Sequence, residues 1–298
     1  MTPPMPRSSA ALVTGCSSGI GRASALALHR AGLPVYATAR RPDTLLELAE
    51  AGLTTLALDV TDESSMQAAV DRIVTDHGAV GVLVNNASYA LQGPAETTPM
   101  SEIRAQFETN VFGLVRLTQL VLPGMRSQGW GRVVNLSSMG GRFTFPGGGF
   151  YHASKHAVEA VSDALRYELA PFGVAVVLVE PGPVSTAFGD TAVGTIDPPP
   201  DEATASSDAY AGFREALAVR YAQAYDGSRM RLASSPDAVA RVIVRAVRVR
   251  RPRPRYTVGP VAKTLVGLRR FAPSAAFDAV IRSSFPVPEP GPSPHKSP

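Results

Sequence analysis

Cysteine, lysine and long apolar runs are all scarce in this chain of 298 residues. A single cysteine, Cys16, excludes an internal disulfide framework and a thiolate metal site, and it is typical of a reducing compartment. No apolar run approaches the length of about 20 residues that a membrane-spanning helix needs. Residues 1–9 also lack the apolar stretch of a secretory signal. We therefore expect a cytoplasmic protein without an integral membrane segment.

An excess of positive charge is also missing. The 29 lysines and arginines nearly balance 25 acidic residues, and the net charge is only +4. This balance is far from the dense positive surface that binds a phosphate backbone, so we expect no nucleic-acid partner. Lysine occurs only at Lys155, Lys263 and Lys296. A lysine within a motif is therefore informative.

Short apolar runs alternate with longer helix-like stretches along most of the chain, a pattern typical of βα units. Several runs are continuous rather than alternating, which indicates strands covered on both faces. We therefore predict α/β architecture: a Rossmann-type, doubly wound parallel sheet of seven strands with helices on both faces. The predicted strands are 10–14, 34–38, 54–58, 80–84, 132–136, 174–179 and 255–259.

We expect residues 1–298 to form this single domain. Residues 184–208 have no periodicity and are too long for a simple connection, whereas helical periodicity returns in 210–230. The predicted regions are a core at about 9–190 and 234–260, a substrate-binding loop with helices at about 184–232, a C-terminal extension at 261–285 and a proline-rich disordered tail at 286–298.

A glycine-rich turn, residues 14–21, follows the first predicted strand and leads into an amphipathic helix. A dinucleotide pyrophosphate needs a tight turn, a close backbone and a helix N-terminus, which Gly15, Gly19 and Gly21 would supply. Such spacing also arises by chance among 26 glycines, so the strand before and the helix after carry the prediction. The expected cofactor contacts here are Gly15, Ser17, Ser18, Gly19, Ile20 and Gly21.

The end of the second predicted strand lacks the acid that would bind ribose hydroxyls and repel a 2′-phosphate. It carries Arg40 and Arg41, and we expect the guanidinium of Arg40 to pair with the phosphate through two hydrogen bonds. We therefore expect NADP(H) rather than NAD(H), although both arginines could be solvated loop charges. Asp59, after the third strand, could bind the adenine amino group or cap the next helix.

Tyr151 and Lys155 lie four residues apart in a predicted helix and therefore share one face. A neighbouring ammonium lowers the pKa of a phenol toward the range useful for acid–base catalysis. Ser138 follows the fifth strand, at the sheet edge where open α/β folds bind ligands. A serine at a strand end is also a common turn residue or cap. The five histidines show no metal-ligand spacing, so we expect no metal.

These motifs occur in the order found in the short-chain dehydrogenase/reductases, which the chain resembles from about 10 to 188. The hydroxysteroid and retinol dehydrogenase branch is the most similar, from residues 15–21, 35–38 and 181–188. Ser88 departs from the glycine that the family usually carries there. The shared motifs are TGxxxGxG at 14–21, Asn85-Asn86-Ala87, Asn110, Ser138, Tyr151, Lys155 and Pro181-Gly182.

The resemblance implies direct hydride transfer between a nicotinamide and a carbonyl or alcohol carbon. Tyr151 would be the general acid/base, Ser138 would bind the reacting oxygen, and Lys155 would bind the nicotinamide ribose. Asn110 would hold a water molecule in a proton relay. A homodimer or homotetramer is also implied. Further implied cofactor contacts are Asp59, Val60, Asn86, Ala87, Pro181, Gly182, Val184 and Thr186.

The sequence defines the substrate less closely than it defines the cofactor and the catalytic residues. Aromatic residues could line a pocket for a steroid-, retinoid-, aryl- or polyketide-like carbonyl or alcohol, or they could be plain core. The arginine-rich run 241–251 is expected to be a helix with one solvated face, with acidic lipid as the alternative partner. The alternative for the whole protein is a catalytically silent dinucleotide-binding sensor or scaffold. The aromatic residues are Phe143, Phe145, Phe150, Phe188, Tyr210 and Phe213.

Overall fold

The computed structural model describes residues 7–186, 194–196, 209–225, 233–285 and 287–288. Within them, seven parallel strands form one sheet in the order β3-β2-β1-β4-β5-β6-β7. All seven predicted strands are present, with ends shifted by at most two residues. The strands are β1 (Ala11–Val13), β2 (Val35–Ala39), β3 (Thr54–Ala57), β4 (Val82–Asn85), β5 (Gly131–Leu136), β6 (Val174–Pro181) and β7 (Arg255–Val258).

Helices connect the strands and continue the chain after β7. They are α1 (Gly19–Arg30), α2 (Leu46–Glu50), α3 (Glu63–His77), α4 (Met100–Phe107), α5 (Gly113–Ser127), α6 (Gly149–Leu169), α7 (Ala211–Tyr225), α8 (Pro236–Arg248), α9 (Pro260–Phe271) and α10 (Ser274–Ser284).

The core has one layer on each face of the sheet. Side chains alternate along β1, so Ala11 and Val13 pack in the layer that includes α1 and α8. Leu12 packs in the layer that includes α3 and α5. All three side chains are fully buried. The doubly wound sheet with helices on both faces is therefore confirmed.

Two helices begin directly after a polar residue that caps them. α3 begins after Asp62, whose carboxylate accepts hydrogen bonds from the first backbone amides of the helix. α8 begins after Ser235, which caps it in the same way. The arginines of α8, Arg241, Arg245 and Arg248, are exposed while its apolar face is buried. The prediction of a helix with one solvated face is confirmed for this part of the run.

The expected substrate-binding region is described only in part. α7 lies within the predicted helical stretch 210–230, and residues 226–230 lie outside the described residues. Most of 184–208 lies outside them too, as does nearly all of the predicted tail 286–298. The loop and tail assignments therefore stay predictions.

The C-terminal extension, for which the sequence analysis predicts no helices, folds as α9 and α10. Pro260 occupies the first position of α9, and Pro273 precedes α10. Proline at a helix start could have indicated both elements. α10 packs through Phe277 and Ile281 against Phe143 of the segment after β5.

An ion-pair network stabilises the carboxyl end of β6. Arg255 Nε lies 3.0 Å from Glu159 Oε2 and 3.3 Å from Glu180 Oε1. Glu180, which is 1% exposed, also pairs with Arg142 at 3.0 Å. Burial raises the pKa of the Glu159 carboxyl, against the opposing effects of Ser137 and Arg255. The arginines therefore compensate two carboxylates that are largely removed from water.

Candidate functional site

A cleft of about 950 Å³ opens at the carboxyl edge of the sheet. β1 lies there between β2 and β4, where the strand order reverses, and open α/β sheets bind ligands at such a point. Among the predicted site residues, only Gly21 and Asn110 do not line it. The predicted residues that line the cleft are Gly15, Ser17, Ser18, Gly19, Ile20, Arg40, Asp59, Val60, Asn86, Ala87, Ser138, Tyr151, Lys155, Pro181, Gly182, Val184 and Thr186.

The turn after β1 requires its glycines. Gly15 and Gly19 have φ of +69° and +56°, where a side chain would be strained. Gly21 lies beneath the turn, and a Cβ there would be 2.2 Å from the carbonyl oxygen of Gly15. α1 begins at this turn with no side-chain cap and no acid in its first turn. The uncapped helix end therefore fits the pyrophosphate of a dinucleotide.

Thr14 joins the glycine turn to the segment after β4. Its hydroxyl oxygen accepts hydrogen bonds from the amides of Asn86 at 2.9 Å and Ala87 at 3.0 Å. In return, Asn86 Nδ2 donates to the carbonyl oxygens of Thr14 and Gly15 at 2.9 and 3.0 Å. Thr14 is 1% exposed. These four bonds fix two sides of the cleft relative to each other.

Arg40 directly follows β2, is exposed, and lines the cleft. It forms no ion pair within the part of the chain that the structure describes. Arg41 does not line the cleft. Asp59 does, and its Oδ1 accepts hydrogen bonds from the amide and hydroxyl of Thr61. Since Asp62 caps α3, the alternative that Asp59 caps this helix is wrong.

Tyr151 and Lys155 lie on α6 and line the cleft together. Lys155 is 2% exposed, and its Nζ donates to the carbonyl oxygen of Leu136 at 2.8 Å. The same Nζ lies 5.8 Å from the centroid of the Tyr151 ring. Burial lowers the pKa of Lys155 to about 8, although the charge of Glu159 opposes the shift. The ammonium is therefore held beside the phenol by a backbone carbonyl.

Ser138 lies between β5 and a short 3-10 turn, Met139–Gly141. Its Oγ accepts a hydrogen bond from the Gly140 amide at 3.0 Å. A serine hydroxyl has one donor and two acceptor sites, so the hydrogen of Ser138 stays available to a ligand oxygen. Its capping role and the predicted role in binding a ligand are therefore compatible.

Asn110 lies behind the cleft wall. It belongs to a π-helical turn, Glu108–Phe112, and is 1% exposed. Its Oδ1 accepts from the Tyr89 amide at 3.1 Å, and its Nδ2 donates to the Tyr89 carbonyl at 2.9 Å and the Ser154 hydroxyl at 3.1 Å. The side chain therefore ties the segment after β4 to α6. The water relay implied by the resemblance stays a prediction.

The segment after β6 borders the cleft. The amide of Gly182 donates to the carbonyl of Val258 at 3.0 Å, and that of Ser185 donates to Ser234 at 3.1 Å. Thr186 lies across the glycine turn, because a Cβ added to Gly19 would be 3.0 Å from its Cγ2. The predicted contacts after β1 and after β6 are therefore neighbours in space.

One end of the cleft is walled by α7. Its residues Phe213, Leu217 and Tyr221 recur every fourth position and form an apolar cluster. Phe145 and Tyr151 pack against this cluster. The wall therefore brings apolar surface close to the tyrosine predicted to be catalytic.

The aromatic residues considered for the pocket divide between pocket and core. Phe145 lines the cleft, and Phe213 belongs to the α7 cluster beside it. Phe143 packs instead against Phe277, with ring centroids 5.3 Å apart. The pocket interpretation therefore applies to Phe145, and the core interpretation applies to Phe143. The others are Phe150 and Tyr210, which do not line the cleft, and Phe188, which lies outside the described residues.

Polar or aromatic residues of the cleft that the sequence analysis missed include Gln92, His152 and Tyr221, with Thr61, Tyr89, Glu102, Glu108 and Thr109. Gln92 is 3% exposed and His152 is fully buried. His152 directly follows Tyr151, which could have drawn attention to it. The sequence around Gln92 and Tyr221 shows no comparable signal, because their pairing depends on how α7 packs.

The fold and cleft define a doubly wound α/β protein with a glycine turn and a Ser-Tyr-Lys set at the switch point of its sheet. Residues 9–195 match the short chain dehydrogenase family. The chain belongs to this family and is by membership an oxidoreductase. The resemblance stated from the motifs is therefore confirmed.

Curated relatives match over most of the chain. Uncharacterized oxidoreductase YbbO of Escherichia coli strain K12 is 36% identical over 273 residues, which cover 91% of this chain and 93% of the relative. 17-beta-hydroxysteroid dehydrogenase type 1 of Homo sapiens is 36% identical over 277 residues, covering 89% and 82%. Each match therefore covers most of this chain and most of the relative.

Solved structures share the fold. A short-chain dehydrogenase from Streptomyces avermitilis has a TM-score of 0.74 at 33% identity, covering 92% of this chain and 93% of that one. A variant of actinorhodin polyketide ketoreductase with NADPH has a TM-score of 0.67 at 33% identity, covering 80% and 90%. Among the described residues, no helix is long and apolar enough to cross a membrane.

Proposed function

We propose that this protein is an NADP(H)-dependent oxidoreductase that interconverts a ketone and an alcohol on an apolar substrate. The observation that carries the proposal is that Ser138, Tyr151 and Lys155 line the same cleft as the glycine turn. Groups suited to proton transfer therefore lie beside a turn that fits a dinucleotide pyrophosphate.

A bound nicotinamide would supply or accept the hydride. Ser138 donates its free hydroxyl hydrogen to the reacting oxygen. Tyr151 gives a proton to that oxygen during reduction and removes one during oxidation. Lys155 favours the phenolate form of Tyr151 through its nearby charge, which makes this proton transfer feasible near neutral pH. Because the pKa of Lys155 is about 8, its amine is still mostly charged near neutral pH.

The preference for NADP(H) rests on Arg40. Its guanidinium is exposed at the cleft, and among the described residues it has no carboxylate partner to displace. β2 ends at Ala39 with no acid that would repel a 2′-phosphate. The NADPH complex of the similar polyketide ketoreductase supports the same choice.

Kinetics with both nucleotides test this preference. A charge-assisted pair contributes about 1.5–3 kcal/mol, so Arg40→Ala should raise the KM for NADPH about 10- to 100-fold and leave the KM for NADH unchanged. Arg41→Ala is the matched control, since it removes the neighbouring charge from outside the cleft. Equal KM values for the two nucleotides in the wild type would contradict the phosphate role of Arg40.

The catalytic proposal is tested with NADPH oxidation against a panel of ketones, diketones and quinones. Tyr151→Phe should lower kcat by at least about 100-fold, the usual contribution of a positioned acid, and leave the Kd for NADPH unchanged. Unchanged turnover would overturn the mechanism. NADPH binding without turnover of any compound would favour the alternative of a silent sensor or scaffold.

The substrate class follows from the wall at α7. Phe145, Phe213 and Leu217 present apolar side chains at or beside the cleft, close to Tyr151. Such a wall favours a steroid-, retinoid-, aryl- or polyketide-like body over a small polar one. The relative that is named a 17-beta-hydroxysteroid dehydrogenase supports this class.

We also expect a homodimer or homotetramer. Three large side chains of the segment from the π-helical turn to the short 3-10 turn after α6 are exposed, namely Phe112 at 55%, Tyr167 at 71% and Phe172 at 45%. Their burial between copies would remove apolar surface from water. Light scattering on wild type and Tyr167→Asp tests this, and a monomeric wild type would contradict it.

A further inference from the structure

Gln92 places a buried carboxamide at the substrate end of the cleft. It follows β4 in the loop before α4, is 3% exposed and lines the cleft. Buried amides are normally fully hydrogen-bonded, because an unmade bond costs free energy. The partners of its two ends therefore show what the side chain can do.

The oxygen of the carboxamide already accepts a hydrogen bond. The hydroxyl of Tyr221, on the cleft side of α7, donates to Gln92 Oε1 at 2.8 Å in a buried hydrogen bond. Nε2 donates no hydrogen bond within the described residues, and yet it is not sealed from solvent. Since nearly all of Gln92 is buried, the open side of Nε2 is the cleft.

The backbone of Gln92 is held in place as well. Its amide donates to Thr195 Oγ at 3.1 Å, and that hydroxyl donates to the carbonyl of Ala90 at 3.1 Å. The side chain is therefore fixed at both ends, by Thr195 through the backbone and by Tyr221 through Oε1. A donor fixed in this way is preorganised for an acceptor in the cleft.

The acceptor is not the reacting oxygen. A carbonyl oxygen has two lone pairs, and in the proposed reaction Ser138 and Tyr151 donate to them. A third donor on the wall that includes α7 therefore serves another atom of the substrate. The neighbouring surface of Phe145 and Leu217 is apolar, so a substrate without an acceptor there would leave Nε2 buried and unpaired.

We propose that Gln92 is a specificity residue that donates a hydrogen bond to a second oxygen of the substrate. The preferred substrates are then apolar ketones or alcohols that carry an ether, ester or further carbonyl oxygen on their body. This inference rests on the proposed function, because it assigns a second contact of the same substrate.

The test compares pairs of ketones that differ only by one CH₂ replaced with an ether oxygen. Alkan-2-ones and methoxy-ended ketones of equal length form such pairs, and several lengths are needed to cover the distance from Tyr151. At the length that fits, kcat/KM with NADPH should favour the ether about tenfold in the wild type. Gln92→Met, which has similar size and no donor, should abolish that preference, so that kcat/KM becomes equal within the pair.

Gln92→Glu is the matched second variant. It keeps the acceptor for Tyr221 and replaces the free donor with an acceptor, so it too should lose the preference for the ether. It also provides the test if Gln92→Met does not fold. Equal kcat/KM within every pair in the wild type, or a preference that survives in both variants, would overturn the proposal. Failure to turn over any ketone would instead overturn the proposed function, and the inference with it.

Discussion

His152 should make the protein sensitive to acid, and the size of the effect follows from its surroundings. The imidazole is fully buried between Gly140 and Gly148, where an added Cβ would lie 2.4 and 2.3 Å from the ring. Neither ring nitrogen has a hydrogen-bond partner among the described residues. Burial, together with the charge of His156, lowers the pKa of His152 from 6.5 to about 3. The native protein therefore holds this ring neutral.

The sign of the effect follows from proton binding. Between pH 6.5 and about 3, the unfolded chain protonates His152 and the native protein does not. Unfolding is therefore favoured as the pH falls through this window, whereas above pH 6.5 His152 contributes no pH dependence. At about pH 5, about 1.5 pH units below the unfolded pKa, the loss amounts to about 2 kcal/mol.

Urea denaturation followed by circular dichroism measures this loss. Between about pH 7 and about pH 5, the wild type should lose about 2 kcal/mol more of its free energy of unfolding than His152→Leu. Poor packing of leucine would lower the free energy of unfolding equally at both pH values. It therefore does not affect the change between them, which is the quantity compared. His29→Gln, a half-buried histidine of α1, is the control and should behave like the wild type. Identical pH dependence in wild type and His152→Leu would refute the reasoning.

Three further substitutions test the architecture of the site. Gly19→Ala should weaken NADPH binding about tenfold in a fluorescence titration, because a side chain at φ of +56° costs roughly 1–2 kcal/mol and the turn at the pyrophosphate site must shift to relieve this strain. Thr14→Val should lower the free energy of unfolding in urea by about 1–3 kcal/mol, because the partly buried amides of Asn86 and Ala87 lose their acceptor. Arg255→Met should lower it by about 3 kcal/mol, because the buried carboxylate of Glu180 loses one of its two arginine partners.

Each of these changes has a matched control. Gly32 also has a positive φ, and nothing lies within 4 Å of the position of its Cβ, so Gly32→Ala should affect folding but not NADPH binding. Thr14→Ser keeps the hydroxyl and should behave like the wild type. Arg241→Met removes an exposed arginine of α8 and should leave the free energy of unfolding nearly unchanged. Equal effects in test and control variants would contradict the corresponding reasoning.

The sheet could be predicted because its signal is local. A parallel strand covered on both faces needs a continuous apolar run, and β1 and β4 are fully buried along their length. The residues that follow each run lie at one edge of the sheet by construction. Polar groups such as Ser138 could therefore be assigned to a common cleft before their distances were known.

Contacts between distant segments could not be predicted in this way. Thr14 and Asn86 are 72 residues apart, and each alone is an ordinary polar residue next to a strand. Their pairing depends on β1 and β4 being neighbours, which the order of the motifs does not state. Arg40, by contrast, was predicted as the phosphate contact from its place after the second strand, and the structure puts Arg40 but not Arg41 at the cleft.

The substrate end lies furthest from what the sequence pattern can show. The periodicity of α7 identifies a helix, but its position depends on how closely it approaches the loop before α6. Gly147 determines that approach, since its φ is +80° and a Cβ there would be 2.3 Å from Leu217 Cδ2. With α7 this close, Tyr221 reaches Gln92. A larger residue at position 147 would be strained at this φ and would displace the side chain of Leu217, one turn before Tyr221, so the specificity proposed for Gln92 depends on a glycine that does not itself line the cleft.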